Sequence, residues 1–274
     1  MASLDDYCYP AESSSYHNSD LWNAIAVSAI GTRHIQTNTP CQDYSIIELC
    51  DPNVLISIVS DGAGSAPRSL FGARIATEAA LHATKLEFTS HWPTDQTRAE
   101  EYFRRILEQV HDNLKNVAEE YCCPLSDFHC TLIVTVANSD SLCTCQIGDG
   151  FIVYGRSDDC LKLIPTPPKG EYANETSFIT EVSSFDAAKI SFVPEPISSL
   201  AISSDGLERL ALDLCQNTPY ERFFSPLFEF VRSISIEVRD SAQSDLSELL
   251  HSDGINQRTD DDKTLVIACR RSIT

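Results

Sequence analysis

Apolar residues recur along the chain with two spacings, one typical of strands and one typical of helices. Runs rich in Val, Ile and Leu, such as the one over 54–60, end at turn residues and predict strands. Apolar residues three and four apart over 98–122 predict a long helix with one buried face. The predicted strands are 22–30, 44–50, 54–60, 128–138, 141–150, 151–156, 160–165, 200–206 and 264–270. The predicted helices are 71–88, 98–122, 208–215, 219–234 and 244–252, and loops are predicted over 32–43 and, with short strands, over 166–199.

The order of these elements indicates the fold class. Short turns join neighbouring strands, which is typical of antiparallel pairing. The helices fall in groups between blocks of strands, so the pattern predicts α+β layers and argues against a doubly wound parallel sheet. Residues 1–20 are rich in Ser, Asn and Asp and are predicted to form a flexible leader, with residues 21–274 as a single domain.

The charge balance narrows the classes of partner. The chain of 274 residues has 20 Lys and Arg against 40 Asp and Glu, for a net charge of −20. Binding to nucleic acid or to anionic lipid needs a basic face, so neither nucleic acid nor a membrane is an expected partner. The acidic N-terminus lacks the basic start and apolar stretch of a secretory signal, and we predict a cytoplasmic protein. The 11 cysteines show no zinc-binding spacing and are interpreted mostly as small core residues.

Aspartates at the ends of predicted strands are the main functional signal. Asp61, Asp149 and Asp205 each follow a β-rich run and precede a glycine, and a triple aspartate over 260–262 directly precedes the last predicted strand. In an antiparallel sheet the end of one strand lies beside the start of its neighbour. The four positions can therefore converge at one end of the sheets.

Such a cluster of carboxylates calls for bound cations. Carboxylates that share a site repel one another, and their burial is costly. Mg²⁺ and Mn²⁺ prefer oxygen ligands and resolve both problems. Two such ions roughly 3.5–4 Å apart can clamp a phosphoryl group for in-line attack. A single Asp-Gly pair is usually a turn, so the prediction of a metal-dependent phosphatase rests on the four positions together.

At these residues the sequence resembles the metal-dependent protein serine/threonine phosphatases of the protein phosphatase 2C family, and it is most similar to a bacterial branch of that family. The similarity extends from about residue 22 to residue 269. It implies a four-layer α-β-β-α sandwich of two antiparallel sheets flanked by helices, with the metal ions at one end. The matching segments are GTRH…PCQD (31–43), SDGAGS (60–65), FHCTL (128–132), QIGDG (146–150), GEYANETSFIT (170–180), SDGLERLAL (204–212) and RTDDDKTL (258–265).

The resemblance implies two Mn²⁺ or Mg²⁺ ions, with a third held more weakly. Asp61 would bridge the first two ions, and the Gly62 carbonyl would bind one of them. Asp205 and Asp261 would complete the protein ligands of the other ion. A hydroxide shared by the two ions would attack phosphorus directly, without a phosphoenzyme.

Further roles follow from the same resemblance. Asp149 would help Asp205 to hold the third ion. Asp43 matches the aspartate of the family's first Glu-Asp motif and would hold a metal-bound water. Gln42 stands where that motif has glutamate, which lowers the charge of the site. The implied catalytic residues are Asp43, Asp61 and Asp205, and the implied metal ligands are Asp43, Asp61, Gly62, Asp149, Asp205 and Asp261.

The substrate side of the site differs from that of the family's animal members. They carry a histidine after the Asp-Gly, proposed as general acid, whereas this chain has Ala63. Arg33 is near the position of the family's phosphate-binding arginine, and the bacterial branch has a histidine that corresponds to His34. Arg33 and His34 are therefore the two candidates for binding the substrate phosphate.

The sequence thus predicts a metal-dependent protein serine/threonine phosphatase that hydrolyses phosphomonoesters. The expected partners are a phosphorylated protein substrate and a cognate protein kinase. Three alternatives stay open. The chain could be a pseudophosphatase, a binding module without catalytic activity, which the residues Gln42 and Ala63 favour. It could be a metal-dependent nuclease or phosphodiesterase, which the acidity disfavours. It could also be a cation-binding structural protein, although the calcium-hand loop is absent.

Overall fold

The computed structural model describes residues 13–18, 21–50, 53–156, 160–166, 176–235 and 239–271. Within them two antiparallel sheets account for most of the strands. One sheet has six strands in the order β1-β2-β13-β10-β7-β8, and the other has five in the order β3-β4-β5-β6-β9. The strands of the first sheet are Ser13–Asn18 (β1), Trp22–Ala29 (β2), Phe151–Gly155 (β7), Leu161–Leu163 (β8), Ser199–Ser203 (β10) and Lys263–Arg270 (β13). Those of the second are Asp43–Cys50 (β3), Val54–Asp61 (β4), Leu132–Ala137 (β5), Leu142–Ile147 (β6) and Lys189–Val193 (β9).

Helices cover the outer face of each sheet. The long helices α2 and α3 pack on the five-stranded sheet, and α6 and α7 pack on the six-stranded sheet. A two-stranded hairpin of Leu212–Asp213 (β11) and Thr218–Pro219 (β12) lies apart from both sheets. The helices are Thr32–Thr37 (α1), Ser69–Ser90 (α2), Gln96–Glu120 (α3), Ser184–Ala187 (α4), Glu208–Ala211 (α5), Glu221–Ser233 (α6), Arg239–Leu250 (α7) and Asp253–Asn256 (α8), with 3₁₀ turns over Leu125–Phe128 and Asp205–Leu207.

Three apolar clusters hold these four layers together. Strand β2 shows why the layers form, because its side chains alternate between the two faces of the sheet. Ile25 and Val27 contact the helices α6 and α7, whereas Ala24 and Ala26 face the other sheet. A third cluster joins the five-stranded sheet to α2 and α3. The predicted α+β sandwich of two antiparallel sheets flanked by helices is confirmed.

Several predicted boundaries need correction. The polar segment predicted as a loop over 32–43 contains the helix α1, and the helix predicted over 208–215 ends at Ala211, where the chain turns to pair in the β11–β12 hairpin. The expected leader is not loose over residues 13–18, because β1 pairs along its full length with β2. Residues 1–12 and 19–20 of that leader lie outside the described residues.

A side chain from α3 pairs with part of the free backbone edge of strand β9. On its outer side Gln96 Nε2 donates to the carbonyl of Ile190 (2.9 Å), and the Phe192 amide donates to Gln96 Oε1 (2.8 Å). One glutamine of α3 therefore makes the two hydrogen bonds that a residue of a neighbouring strand would make. This contact also ties α3 to the sheet that it covers.

A close backbone contact fixes the loop before β13. Gly206 lies so near this loop that a Cβ atom would come within 1.9 Å of the Asp262 carbonyl oxygen. We expect Gly206→Ala to lower the free energy of unfolding by about 1–3 kcal/mol, because the loop must shift to admit a methyl group. Gly254→Ala is the matched control, since nothing lies within 4 Å of its added Cβ. Urea unfolding of both variants measures the difference, and equal stability of the two would contradict the close packing.

Candidate active site

Asp43 and Asp61 face each other across the first strand pair of the five-stranded sheet. Asp43 begins β3, Asp61 ends β4, and the two are direct partners in the antiparallel register. The backbone of Asp61 is held from its other side, where its amide donates to Thr131 Oγ1 (3.0 Å) and its carbonyl accepts from the Thr131 amide (2.8 Å). Asp43 is buried, and its Oδ2 accepts a hydrogen bond from Ser204 Oγ (2.6 Å). The register of a single hairpin thus fixes two carboxylates side by side.

Two more aspartates come from the turns of the strands that follow. Asp205 opens the 3₁₀ turn after β10, and Asp149 lies in the turn between β6 and β7. Asp149 Oδ2 accepts a hydrogen bond from Thr176 Oγ1 (2.8 Å). The charge of Asp149 raises the pKa of Asp205, which places the two carboxyl groups in one electrostatic cluster.

Asp261 reaches the cluster from the loop before β13. Its Oδ1 accepts from Arg33 Nη2 at 3.1 Å, with side chains 40 % and 52 % exposed. The Arg33 amide also donates to the Asp260 carbonyl (3.0 Å), so α1 and this loop are joined twice. The candidate phosphate-binding arginine and a candidate metal ligand are therefore neighbours.

Asp262, which the sequence analysis did not single out, organises this corner of the site. Its side chain is buried and accepts from the Gly31 amide (2.7 Å), the Gln42 amide (2.6 Å) and, through Oδ2, pairs with His34 Nδ1 (2.9 Å). His34 is largely buried and uses this ring nitrogen to hold α1 in place. One carboxylate thus positions the start of α1, the start of β3 and the loop that carries Asp261.

The role of Asp262 can be tested through stability. We expect Asp262→Ala to lower the free energy of unfolding by about 3 kcal/mol or more, because it leaves buried donors unpaired at roughly 1–3 kcal/mol each. Urea unfolding measures the loss. Asp260→Ala is the matched control: Asp260 is exposed and contributes its backbone carbonyl to the contact with Arg33. A small effect of Asp262→Ala, equal to that of the control, would rule out this organising role.

These side chains line one cavity of about 220 Å³ at the end of the sandwich. It brings together Arg33, His34 and four of the predicted aspartates, while Asp43 lies behind Asp61 and outside the lining. Thr131, Thr176, Phe178 and Asp262 also line it and were not predicted. Threonine and phenylalanine carry no chemical signature in a sequence, whereas the position of Asp262 directly before a strand could have revealed it. The predicted residues in the lining are Arg33, His34, Asp61, Gly62, Asp149, Asp205 and Asp261.

Without bound cations, burial and mutual repulsion raise the pKa values of aspartates in the cluster. Desolvation, followed by the charge of Asp262, raises the pKa of Asp43 from 3.8 to about 7. Desolvation, followed by the charges of Asp149 and Asp261, raises the pKa of Asp205 to about 7. The pKa of Asp61 is raised well above its usual value by desolvation and then by the charges of Asp43 and Asp205. Each of these carboxyl groups therefore resists ionisation because it is buried and because its neighbours are negative when ionised.

The donor set fits hard divalent cations. Among the described residues no donor is in hydrogen-bond geometry with the buried oxygens Asp43 Oδ1 and Gln42 Oε1, although Asp61 and Thr264 lie near enough to Asp43 to affect its pKa. Oxygen ligands of this kind suit Mg²⁺ and Mn²⁺. Within the described ranges no three Asp, Glu, His or Cys side chains converge tightly enough to enclose one ion alone. An ion bound here would take part of its shell from water, as Mg²⁺ usually does.

Comparison with known proteins agrees with this geometry. The profile of the family described as "Protein phosphatase 2C" matches residues 30–251. The chain is 32 % identical over 253 residues to serine/threonine-protein phosphatase 3 of Escherichia coli (strain K12), and the alignment covers 90 % of this chain and 98 % of that protein. The family match includes Asp61, Asp149 and Asp205 and ends before Asp261.

Solved structures show the same fold at low identity. Stp1, a serine/threonine phosphatase of Staphylococcus aureus, has a TM-score of 0.58 at 14 % identity and covers 91 % of this chain and 95 % of its own. The catalytic domain of PstP, solved with two manganese ions, has a TM-score of 0.56 at 14 % identity and covers 92 % of this chain and 99 % of its own. Fold, site geometry and sequence match together establish that this chain belongs to the protein phosphatase 2C family.

Proposed function

We propose that the chain is a metal-dependent protein serine/threonine phosphatase. The observation that carries this proposal is the convergence of Asp61, Asp149, Asp205 and Asp261, which are far apart in the sequence, around one cavity in a member of this family. Retention of all four carboxylates disfavours a pseudophosphatase. The net charge of −20 disfavours a nuclease, because backbone phosphates are bound by basic residues.

The proposed active site also requires bound cations. We propose two Mn²⁺ or Mg²⁺ ions held by Asp61, Asp205, Asp261 and the Gly62 carbonyl, with Asp149 and Asp205 as ligands of a third. When bound, such ions lower the pKa of coordinated water and withdraw charge from a phosphoryl group. Asp43, fixed by Ser204, would orient water beside Asp61.

The protein's own groups would position the substrate. The Arg33 guanidinium can bind phosphate oxygens through two parallel hydrogen bonds, and in the structure it already makes such a bond to a carboxylate of the site. His34 lies beside it with Nδ1 engaged by Asp262, so Nε2 is the ring nitrogen that is left for a phosphate oxygen, to which it donates when both ring nitrogens carry a proton. Ala63 places no proton donor after the Asp-Gly turn, and the leaving alkoxide would therefore take its proton from water.

Partners follow from the reaction. A phosphorylated protein is the expected substrate, and the protein kinase that places its phosphate is the expected counterpart. We propose a cytoplasmic location for the protein. None of the described helices combines the length and the apolar character needed to cross a membrane.

A metal titration tests the proposed function. We expect hydrolysis of p-nitrophenyl phosphate and of a phosphoserine peptide to require Mn²⁺ or Mg²⁺ and to stop when a chelator is added, because the carboxylate cluster needs counter-ions to bind phosphate. Hydrolysis of single-stranded DNA under the same conditions should not be detectable. Turnover that persists in chelator, or that is faster on DNA than on the peptide, would reject the assignment.

A further inference from the structure

A short segment between β8 and β9 forms one wall of the cavity. Residues 176–180, here called the 176–180 segment, run along the mouth of the site, and Thr176 and Phe178 line it. Thr176 is bonded to Asp149, and the Ile179 amide donates to the Cys130 carbonyl (3.0 Å). The Ile179 side chain is buried in the cluster beneath α2 and α3. These two hydrogen bonds and the buried Ile179 side chain therefore fix the position of the segment.

Phe178 is held in a defined orientation on this wall. Its ring stacks on the imidazole of His129, with centroids 4.8 Å apart and planes 13° apart. The imidazole is fixed in turn, because His129 Nδ1 lies 2.5 Å from Thr180 Oγ1. The Phe178 carbonyl accepts from Ser184 Oγ (2.8 Å). One ring face is covered by His129, and Phe178 remains partly exposed where it lines the cavity.

The cavity beside this ring is acidic. Among the residues that the structure describes, five aspartates line it, against one arginine, which is itself paired with a carboxylate. Two divalent cations and that arginine would offset five of the six negative charges that these aspartates and Asp43 carry when ionised. A phosphate dianion would add two more, so the loaded site keeps a negative balance, even when the proposed third divalent cation is bound. The net charge of −20 acts in the same direction over a longer range.

An aromatic ring in a negative cavity is suited to a cationic side chain. Guanidinium and ammonium groups bind the faces of aromatic side chains through cation–π contacts and stacking. Carboxylates nearby add direct attraction. Resting on the proposed phosphatase function, we infer that the preferred substrates carry an arginine or lysine beside the phosphorylated residue, and that Phe178 contacts this basic side chain. His129 is then a positioning residue, since it acts on the substrate through Phe178.

Kinetics with matched phosphopeptides tests this inference. Peptides that differ only in Arg, Leu or Glu beside phosphoserine, on each side in turn, are hydrolysed by the Mn²⁺-loaded enzyme. We expect kcat/KM to fall in the order Arg, Leu, Glu, with about tenfold between Arg and Leu, mostly through KM. Phe178→Leu should reduce the ratio of kcat/KM between the Arg and Leu peptides about fivefold, whereas Phe178→Tyr should keep this ratio.

Controls distinguish failure of this inference from failure of the proposed function. Phe185→Leu makes the same change outside this cavity and should keep the Arg preference. Urea unfolding shows whether Phe178→Leu has folded, and the ratio between the two peptides cancels a general loss of activity. Equal rates on the three peptides, or an Arg advantage unaffected by Phe178→Leu, would overturn the inference while leaving the proposed phosphatase intact. No metal-dependent hydrolysis of any peptide would instead reject the proposed function.

Discussion

Replacing Asp61 or Asp205 by asparagine is expected to reduce kcat/KM for p-nitrophenyl phosphate about 10³-fold or more. Each change removes a charged oxygen ligand from the centre of the cluster, and stabilisation of transition-state charge by metal ions is worth several kcal/mol. Every 1.4 kcal/mol or so corresponds to a factor of ten in rate. Steady-state kinetics in saturating Mn²⁺ measures the loss.

The same variants should keep the fold. Because the pKa of Asp61 is raised well above its usual value, its ionised form is unfavourable in the metal-free protein. Asparagine has the same shape without the charge, so we expect the metal-free melting temperature to stay the same or to rise. Asp112→Asn, at a carboxylate that is 75 % exposed, is the matched control and should leave both quantities unchanged. Full activity of either active-site variant would refute the assignment of its aspartate.

The metal-free protein is expected to lose stability as the pH rises from about 4 to 7. Asp43 and Asp205 have a pKa raised from 3.8 to about 7 in the folded state. Within this window the folded protein binds more protons than the unfolded chain, so linkage makes the free energy of unfolding fall with rising pH. Below the window both states are protonated, and above it the cost is constant. The loss amounts to several kcal/mol for the two groups together, at about 1.4 kcal/mol per pKa unit for each.

Mn²⁺ should reverse this trend. A cation that binds the ionised carboxylates stabilises the folded state more at pH 8 than at pH 5. The total stabilisation is about 2.7 kcal/mol at a pH where its concentration is one hundred times the Kd. Melting temperatures with Mn²⁺ and with chelator, measured across pH, test both statements. The double variant Asp43→Asn/Asp205→Asn should show a flatter metal-free profile than Asp112→Asn. Identical profiles would mean that these two groups do not titrate as described.

The strand ends show how far the sequence could predict the site. Asp61, Asp149 and Asp205 follow strands whose apolar pattern is strong, and those strands form with ends within a few residues of the prediction. Because the pairing is antiparallel, correct strand ends were enough to bring the carboxylates together. The roles of the individual aspartates stay predictions.

The missed features depend on contacts distant in sequence. A helix as short as α1 has little intrinsic stability, and it is held by Asp262, 228 residues beyond His34. No local capping residue announces it, since Gly31 precedes it without a side-chain cap. The stacking of Phe178 on His129 likewise joins residues that no local periodicity connects.

The hydrogen bonds from Gln96 to β9 bear on behaviour at high protein concentration. An open sheet margin is a template on which a second polypeptide can add a strand, and long apolar margins lead to polymers. Here the amide of Gln96 already satisfies an acceptor and a donor of the margin, at Ile190 and Phe192. An added strand would have to displace Gln96, and with it α3, before it could pair with β9. The Gln96 side chain therefore opposes self-association through the five-stranded sheet.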